Sequence, residues 1–198
     1  MSEDNQKSII RKMLREKLAT LSNEQRHAKS LAACSLLLAS PEFQAASVIM
    51  IYLSMPGEVD TASIALKAWQ QGKTVMAPKV KWEERGMLPV EINSLTSGFT
   101  TSRPGIREPV GGKPIPVNLI DLVIVPGVGF TRDGHRIGRG MGFYDRFLAQ
   151  PEFMGISCGL AFEEQIVDSL PVLDHDVPLG MLITDCGVWR SAPNLIRA

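Results

Sequence analysis

Four apolar runs limit the folds open to this chain more than any other feature. They cover residues 48–53, 119–125, 155–162 and 181–184, each is short, and none alternates strictly between apolar and polar positions. A strand without a polar face must be buried on both sides. That is the situation of a parallel sheet sandwiched between helices.

The segments between the runs carry the helical period instead. In residues 7–21, apolar side chains fall at Ile10, Met13, Leu14, Leu18 and Leu21, with Lys7 and Arg11 sharing a face roughly opposite that stripe. Ser22 and Gln25 form a capping box for a second helix reaching about Ala39, where Ser40 and Pro41 stop it. Asp60 or Thr61 caps a third, which carries Ile64, Leu66, Ala68 and Trp69 and ends at Gly72. Residues 74–78 read as a further strand, 143–150 as the start of a helix, and 81–116 as a loop-dominated stretch with one strand at 87–92. The pattern predicts one α/β domain over residues 1–198, with a mostly parallel Rossmann-like sheet and helices on both faces.

Composition excludes several functions. Lys plus Arg number 21 and Asp plus Glu number 21, so no bulk charge exists to attract nucleic acid or an acidic membrane. No apolar run approaches the roughly 20 residues of a membrane span, and residues 1–17 lack a signal-peptide apolar core, so a cytoplasmic protein is expected. Cys34, Cys158 and Cys186 show no Cys-x-x-Cys spacing, which argues for reduced thiols over a disulfide framework or a zinc site.

Ligands of doubly wound sheets bind at the carboxyl ends of the strands, which singles out the loops after Leu53, Val125 and Phe162. Gly72-Lys73-Thr74 is not a phosphate-binding P-loop, because it closes a helix and opens a strand, the reverse of the order that motif needs. The informative stretch is Arg136-Ile137-Gly138-Arg139-Gly140-Met141-Gly142-Phe143-Tyr144-Asp145-Arg146. Alternating glycines let successive amides line a concave anion site, and Arg136 and Arg139 add charge and fork geometry suited to phosphate. A helix beginning near Phe143 would turn its positive end toward the same space. On residue type alone, Asp145 reads either as a Mg²⁺ ligand or as a first-turn carboxylate complementing the helix dipole. Asp174-His175-Asp176 reads as an acidic turn, Lys7 with Arg11 as a basic helix face, and Glu58 as a loop carboxylate at a strand end. The three histidines have no metal or triad spacing, and no Gly-x-Ser-x-Gly elbow is present.

Taken in order along the chain, these pieces resemble the 5-formyltetrahydrofolate cyclo-ligase family. The resemblance spans residues 7–11, 52–61, 105–109, 121–126, 136–145, 159–162 and 173–179, and the glycine-rich run ending in aromatic-Tyr-Asp-Arg is its most specific part. It implies ATP-dependent closure of 5-formyltetrahydrofolate to 5,10-methenyltetrahydrofolate by a monomer, with ADP and phosphate released. Lys7, Arg11 and Arg136, Ile137, Gly138, Arg139, Gly140, Met141, Gly142, Phe143 and Tyr144 would bind ATP. Leu53, Met55 and Glu58, with Arg139, Gly140, Met141, Gly142 and Phe143, would line the folate pocket, and Asp145 and Asp176 would hold Mg²⁺. Arg139 and Asp145 would carry the catalytic roles. Met141 stands where the family usually has glycine or lysine, Gly180 where it is often acidic, and Phe143 where tyrosine is commoner. A non-catalytic nucleotide- or folate-binding relative of the same fold is the alternative.

Overall fold

The four side chains of strand β6 (Leu122–Val125) are all buried, and they point alternately into two different cores. Leu122 and Ile124 pack with one apolar cluster, Val123 and Val125 with another. This two-sided burial is the physical reason the sequence shows no alternation there. A computed structural model describes residues 3–103 and 105–191 of the chain. The domain expected over 1–198 therefore has its ends outside the described residues.

In chain order the helices are α1 (Glu3–Ala19), α2 (Asn23–Ala39), α3 (Pro41–Ala45), α4 (Ala62–Gln70) and α5 (Phe143–Leu148). The remaining strands are β1 (Val48–Met50), β2 (Thr74–Lys81), β3 (Gly86–Glu91), β4 (Phe99–Arg103), β5 (Ile106–Pro109), β7 (Gly129–Phe130), β8 (Arg136–Ile137), β9 (Ile156–Leu160), β10 (Met181–Ile183) and β11 (Val188–Arg190). Seven strands form the main sheet in the order β11-β10-β9-β6-β1-β2-β3. The five central strands run parallel, and β11 and β3 add to the two edges antiparallel. This is a mostly parallel α/β sheet of the class that the sequence pattern implies.

Leu37, Phe43, Ile64, Ala65 and Ala68 of α2, α3 and α4 cover one face. Phe147 and Leu148 of α5, with Phe130 and Phe153, cover the other. Between β1 and β6 the topology switches: the chain leaving β1 builds outward through β2 and β3, and the chain leaving β6 builds the opposite way through β9 and β10. The loops beyond these two strands therefore lead away from each other at a switch point, the usual ligand position in such sheets.

Several local expectations change. Ser40 and Pro41 do not only stop α2; the Ser40 hydroxyl accepts the Phe43 amide and caps α3, with proline at the start of that helix where its missing N–H costs nothing. The apolar run after β1 leaves the ladder beyond Ile51, whose amide still donates to Met76 O, because the chain must turn into the loop beyond β1. The stretch 81–116 is far more ordered than its Gly and Pro content suggests. β2 and β3 form an antiparallel hairpin there, and β4 and β5 form a second one. The turn residues read as a loop are the corners of two hairpins.

Lys7 and Arg11 also sit differently from the helical-wheel reading. Leu14 and Leu18 follow at positions i+7 and i+11 from Lys7, so all four share one face of α1. Leu14 is fully buried against Val128 and Ile137, and Met13, assigned to the stripe, is half exposed. The basic pair extends the buried stripe rather than opposing it.

Candidate functional site

The site is assembled by the segment following β6. Residues 126–128 leave the sheet, and β7 and β8 form a two-stranded turn that returns the chain as residues 138–142. Gln165 fixes this turn from beneath: it is 2% exposed, its amide nitrogen donates to Gly127 O and Val128 O, and its carbonyl oxygen accepts the Phe162 amide. A buried side-chain amide with these three bonds satisfied anchors the loop to the core.

Gly140 and Gly142 have φ of +102° and +64°, a region that favours glycine, so the path of the chain requires these two, whereas Gly138 has no such backbone demand. Among the described residues, no acceptor engages the amides of residues 138 to 142, which leaves them to solvent or to a ligand. Arg11 donates from Nε to Gly138 O at 2.8 Å and so fastens α1 to this loop. Arg146 fastens its other end, donating to Met141 O at 2.6 Å and to Arg85 O at 2.5 Å. Helix α5 is only six residues long, so its dipole adds far less to this space than the sequence reading supposes.

Three ion pairs join the elements around the loop. Lys7, 7% exposed, places Nζ 2.7 Å from Asp176 Oδ2. Arg136, its side chain 4% exposed, donates to Asp145 Oδ1 at 2.7 Å and to Val177 O at 2.7 Å. Arg139 Nη2 lies 2.8 Å from Glu58 Oε1 and bridges the glycine loop to the loop beyond β1. Glu58 Oε2 accepts the Met55 amide, which orders that second loop from within. Burial works against the charge of Arg136, and the adjacent Asp145 carboxylate opposes that effect. Burial also pushes Asp176 up, yet the Lys7 hydrogen bond and the Leu173 amide outweigh it, so its carboxyl is held below the usual range.

The two carboxylates suit a divalent cation that also touches phosphate. Asp145 uses Oδ1 for Arg136 and Val177 N, and Asp176 uses Oδ2 for Lys7 and Leu173 N. Each keeps its second oxygen free of hydrogen bonds among the described residues, with only His175 Nε2 at 3.9 Å from Asp176 Oδ1. No group of three or more potential ligand side chains occurs among the described residues. Two single carboxylate oxygens match Mg²⁺, which completes its shell with water and phosphate; a closed zinc cage would need more.

The remaining sequence-level candidates divide. Met55 lies on the Glu58 loop, and Gly105 of the β4–β5 turn approaches it so closely that a β-carbon there would meet Met55 Cε at 2.7 Å. Leu53 packs against the first core and Ile137 is buried with Leu14, so Ile137 has only its backbone to offer a ligand. Phe143 packs edge-on against Trp82 with ring centroids 5.3 Å apart, and Met141 is exposed. Sequence reading missed the parts played by Gln165, Arg146, Val177 and Trp82. Only Arg146, directly after Tyr144-Asp145, left a signal that could have been followed. Two surface grooves flank this cluster: one of about 370 Å³ beside Gln6, Ile10 and Leu170, and one of about 610 Å³ between β3 and α5.

The chain is similar to known proteins along most of its length. The model of the 5-formyltetrahydrofolate cyclo-ligase family matches residues 3–185. A Mus musculus protein named 5-formyltetrahydrofolate cyclo-ligase is 32% identical over 85% of this chain and 88% of its own. An Escherichia coli K12 protein of the same name is 31% identical over 90% of this chain and all of its own. The solution structure of Aquifex aeolicus 5,10-methenyltetrahydrofolate synthetase superposes with a TM-score of 0.80 at 32% identity, covering 93% of this chain and 92% of that one. A Mycoplasma pneumoniae 5,10-methenyltetrahydrofolate synthetase shares the fold, with a TM-score of 0.72 at 22% identity over 90% of this chain and 98% of that one. With its motifs in the family's order and its fold shared with a solved relative, the chain belongs to the 5-formyltetrahydrofolate cyclo-ligase family.

Proposed function

We propose that this chain closes 5-formyltetrahydrofolate to 5,10-methenyltetrahydrofolate at the expense of ATP. The observation that carries this reading is the Arg139–Glu58 contact, which joins a glycine-rich, arginine-bearing loop to the loop beyond β1. A phosphate-binding element and a carboxylate able to accept hydrogen bonds from a pterin thereby stand in direct contact. That is what a reaction between a triphosphate and a folate needs.

The chemistry asks for little from the protein beyond placement. The formyl oxygen attacks the γ-phosphorus of ATP, the bond to the ADP oxygen breaks, and ADP departs with the electron pair. The anilino nitrogen of the folate then adds to the activated formyl carbon, the ring closes, and hydrogen phosphate leaves with the former formyl oxygen and the proton that the nitrogen gives up. Catalysis of such a transfer is mainly positioning and charge neutralisation. Lys7, Arg11 and Arg136 supply fixed positive charge, and the amides of residues 138–142 supply further donors. Glu58, Met55 and Leu53 orient the folate. Asp145 and Asp176 would hold Mg²⁺, which lowers the charge repulsion between the phosphates and the incoming oxygen.

Lys7, Arg136 and Arg139 are each paired with a carboxylate, Asp176, Asp145 and Glu58 in turn, whereas Arg11 donates to the Gly138 carbonyl. Three of the four cations are thus held by carboxylates and the fourth by a carbonyl, and binding redirects charges that already have a fixed place. Preorganised charge of this kind needs little rearrangement at the moment of reaction. Incubating the purified protein with 5-formyltetrahydrofolate and Mg²⁺-ATP and following the methenyl chromophore tests the reading. Appearance of the chromophore only with ATP present supports it; no chromophore under saturating substrates refutes it.

A further inference from the structure

Among the described residues, Arg85 alone combines a positive φ, +49°, with a side chain. It closes the turn between β2 and β3, where residues 82–85 form the tip of the hairpin and the Arg85 amide donates to Trp82 O. A residue with a β-carbon is disfavoured in that region and persists there only where its surroundings hold it. The hold comes from another element. Arg146 of α5, 61 positions further along the chain, donates from Nε to Arg85 O at 2.5 Å.

The same guanidinium reaches the glycine-rich loop. Its Nη2 donates to Met141 O at 2.6 Å, and its Nη1 lies so close to Gly142 that a β-carbon there would meet it at 2.9 Å. Gly142 thus serves twice, as the residue whose φ of +64° opens α5 and as the seat of the guanidinium. Phe143 ties the same two elements together: Trp82 of the hairpin tip packs edge-on against its ring, and Arg146 Cζ stands 5.5 Å from its centroid. Among the described residues Arg146 forms no ion pair, unlike Lys7, Arg136 and Arg139. Its fork is spent on two backbone carbonyls from two separate elements.

A trans peptide is planar, so the carbonyl of one residue and the N–H of the next point in opposite directions. The bond from Arg146 to Met141 O therefore fixes where the Gly142 N–H points, away from the guanidinium, and that N–H meets no acceptor among the described residues. We propose that Arg146 is a positioning residue that aims the Gly142 amide at a phosphate oxygen of the bound nucleotide, an assignment that rests on the cyclo-ligase reading. The hairpin tip is its support: with Arg85 O on one prong and Met141 O on the other, the guanidinium cannot swing without breaking both bonds. Arg146 itself touches no phosphate. Arg11 acts alike at the other end of the loop, where its bond to Gly138 O sets the direction of the Arg139 N–H.

The Arg146→Met variant tests this with three readouts, since it keeps an apolar stem and removes both donors. KM for Mg²⁺-ATP should rise roughly tenfold, with kcat and the KM for 5-formyltetrahydrofolate each within about threefold of the parent. Arg85, Met141 and Arg146 are all exposed, so water replaces the lost bonds, and the melting temperature should stay within about 3 °C of the parent. The third readout is backbone amide NMR during titration with a non-hydrolysable Mg²⁺-ATP analogue. In the parent the Gly142 amide should shift together with those of Arg139 and Gly140; in the variant, at saturating analogue, Arg139 and Gly140 should still move and Gly142 should not. An unchanged KM for ATP, a defect confined to the folate KM, a larger fall in melting temperature, or a Gly142 amide that moves in the variant as in the parent would each overturn the proposal. If the parent binds the analogue yet forms no methenyl chromophore, the cyclo-ligase reading fails while the Gly142 comparison still decides the role of Arg146. If the parent binds no nucleotide, both fail.

Discussion

Lys7 and Asp176 stand 169 positions apart in the chain and meet at 2.7 Å, where the lysine is 7% exposed. The pair ties the first helix to the turn before β10 and sets one cation and one carboxylate side by side. Removing one partner of a pair this buried leaves the other charge poorly solvated, and costs about 2–4 kcal/mol once the partial exposure of Asp176 is allowed for. Lys7→Met should therefore lower the melting temperature by roughly 5–15 °C and raise KM for ATP. Thermal unfolding read beside ATP titration checks both; an unchanged melting temperature contradicts the structural part.

Asp145 should separate metal binding from folding according to the substituent. Its Oδ1 accepts from Arg136, whose side chain is 4% exposed, and from Val177 N. Asparagine keeps an oxygen acceptor there and removes the charge, so Asp145→Asn should stay folded and lose at least roughly 100-fold in kcat. Asp145→Ala leaves the guanidinium without its carboxylate and should cost about 3 kcal/mol besides. Equal melting temperatures for the two variants would contradict the pairing.

How much of this was legible in the chain follows from the range of each interaction. The sheet was readable because strands such as β6 bury both faces, and its run of Leu122, Val123, Ile124 and Val125 records that directly. The Ser22 capping box was readable because both of its partners lie within three residues. The position of Lys7 was not: its burial depends on Asp176, and nothing local in residues 7–21 reports a carboxylate contributed from the far end of the chain. The two hairpins within 81–116 were hidden because glycine and proline mark a corner and a loop alike. Gln165 looked like any glutamine; only the fold turns it into the support of the glycine loop.

Acid should weaken the protein through carboxylates held below their usual range. Hydrogen bonds from Lys7 and the Leu173 amide hold Asp176 down, and those from Lys29 and the Glu163 amide hold Asp185 down, each outweighing the opposite pull of burial. In the unfolded chain these groups titrate near pH 4. As pH falls, the unfolded state binds protons first, so stability declines from about pH 5 and the contribution is lost once pH drops through the lowered folded values. Melting temperatures from pH 7 to pH 3 should fall, and Asp176→Asn should start lower and fall less steeply. A curve that is flat or rises on acidification contradicts this.

The cysteines should differ sharply in reactivity. Burial pushes the Cys34 thiol up to about 11 and raises Cys158 further, and both are buried. Cys186 is exposed. A thiol reagent should modify one cysteine quickly in the native protein and all three after denaturation. Fast labelling of two or three in the native state contradicts the described packing.

The central claim, that the amides of residues 138–142 and the neighbouring cations hold a triphosphate beside a folate cavity, is open to residue-by-residue measurement. Backbone amide NMR during titration with a non-hydrolysable Mg²⁺-ATP analogue, followed by 5-formyltetrahydrofolate, reads it directly. The account predicts large shifts at Gly138, Arg139, Gly140, Met141 and Gly142 on nucleotide addition, and then at Met55 and Glu58 on folate addition. Saturable nucleotide binding that leaves those five amides unmoved would contradict it.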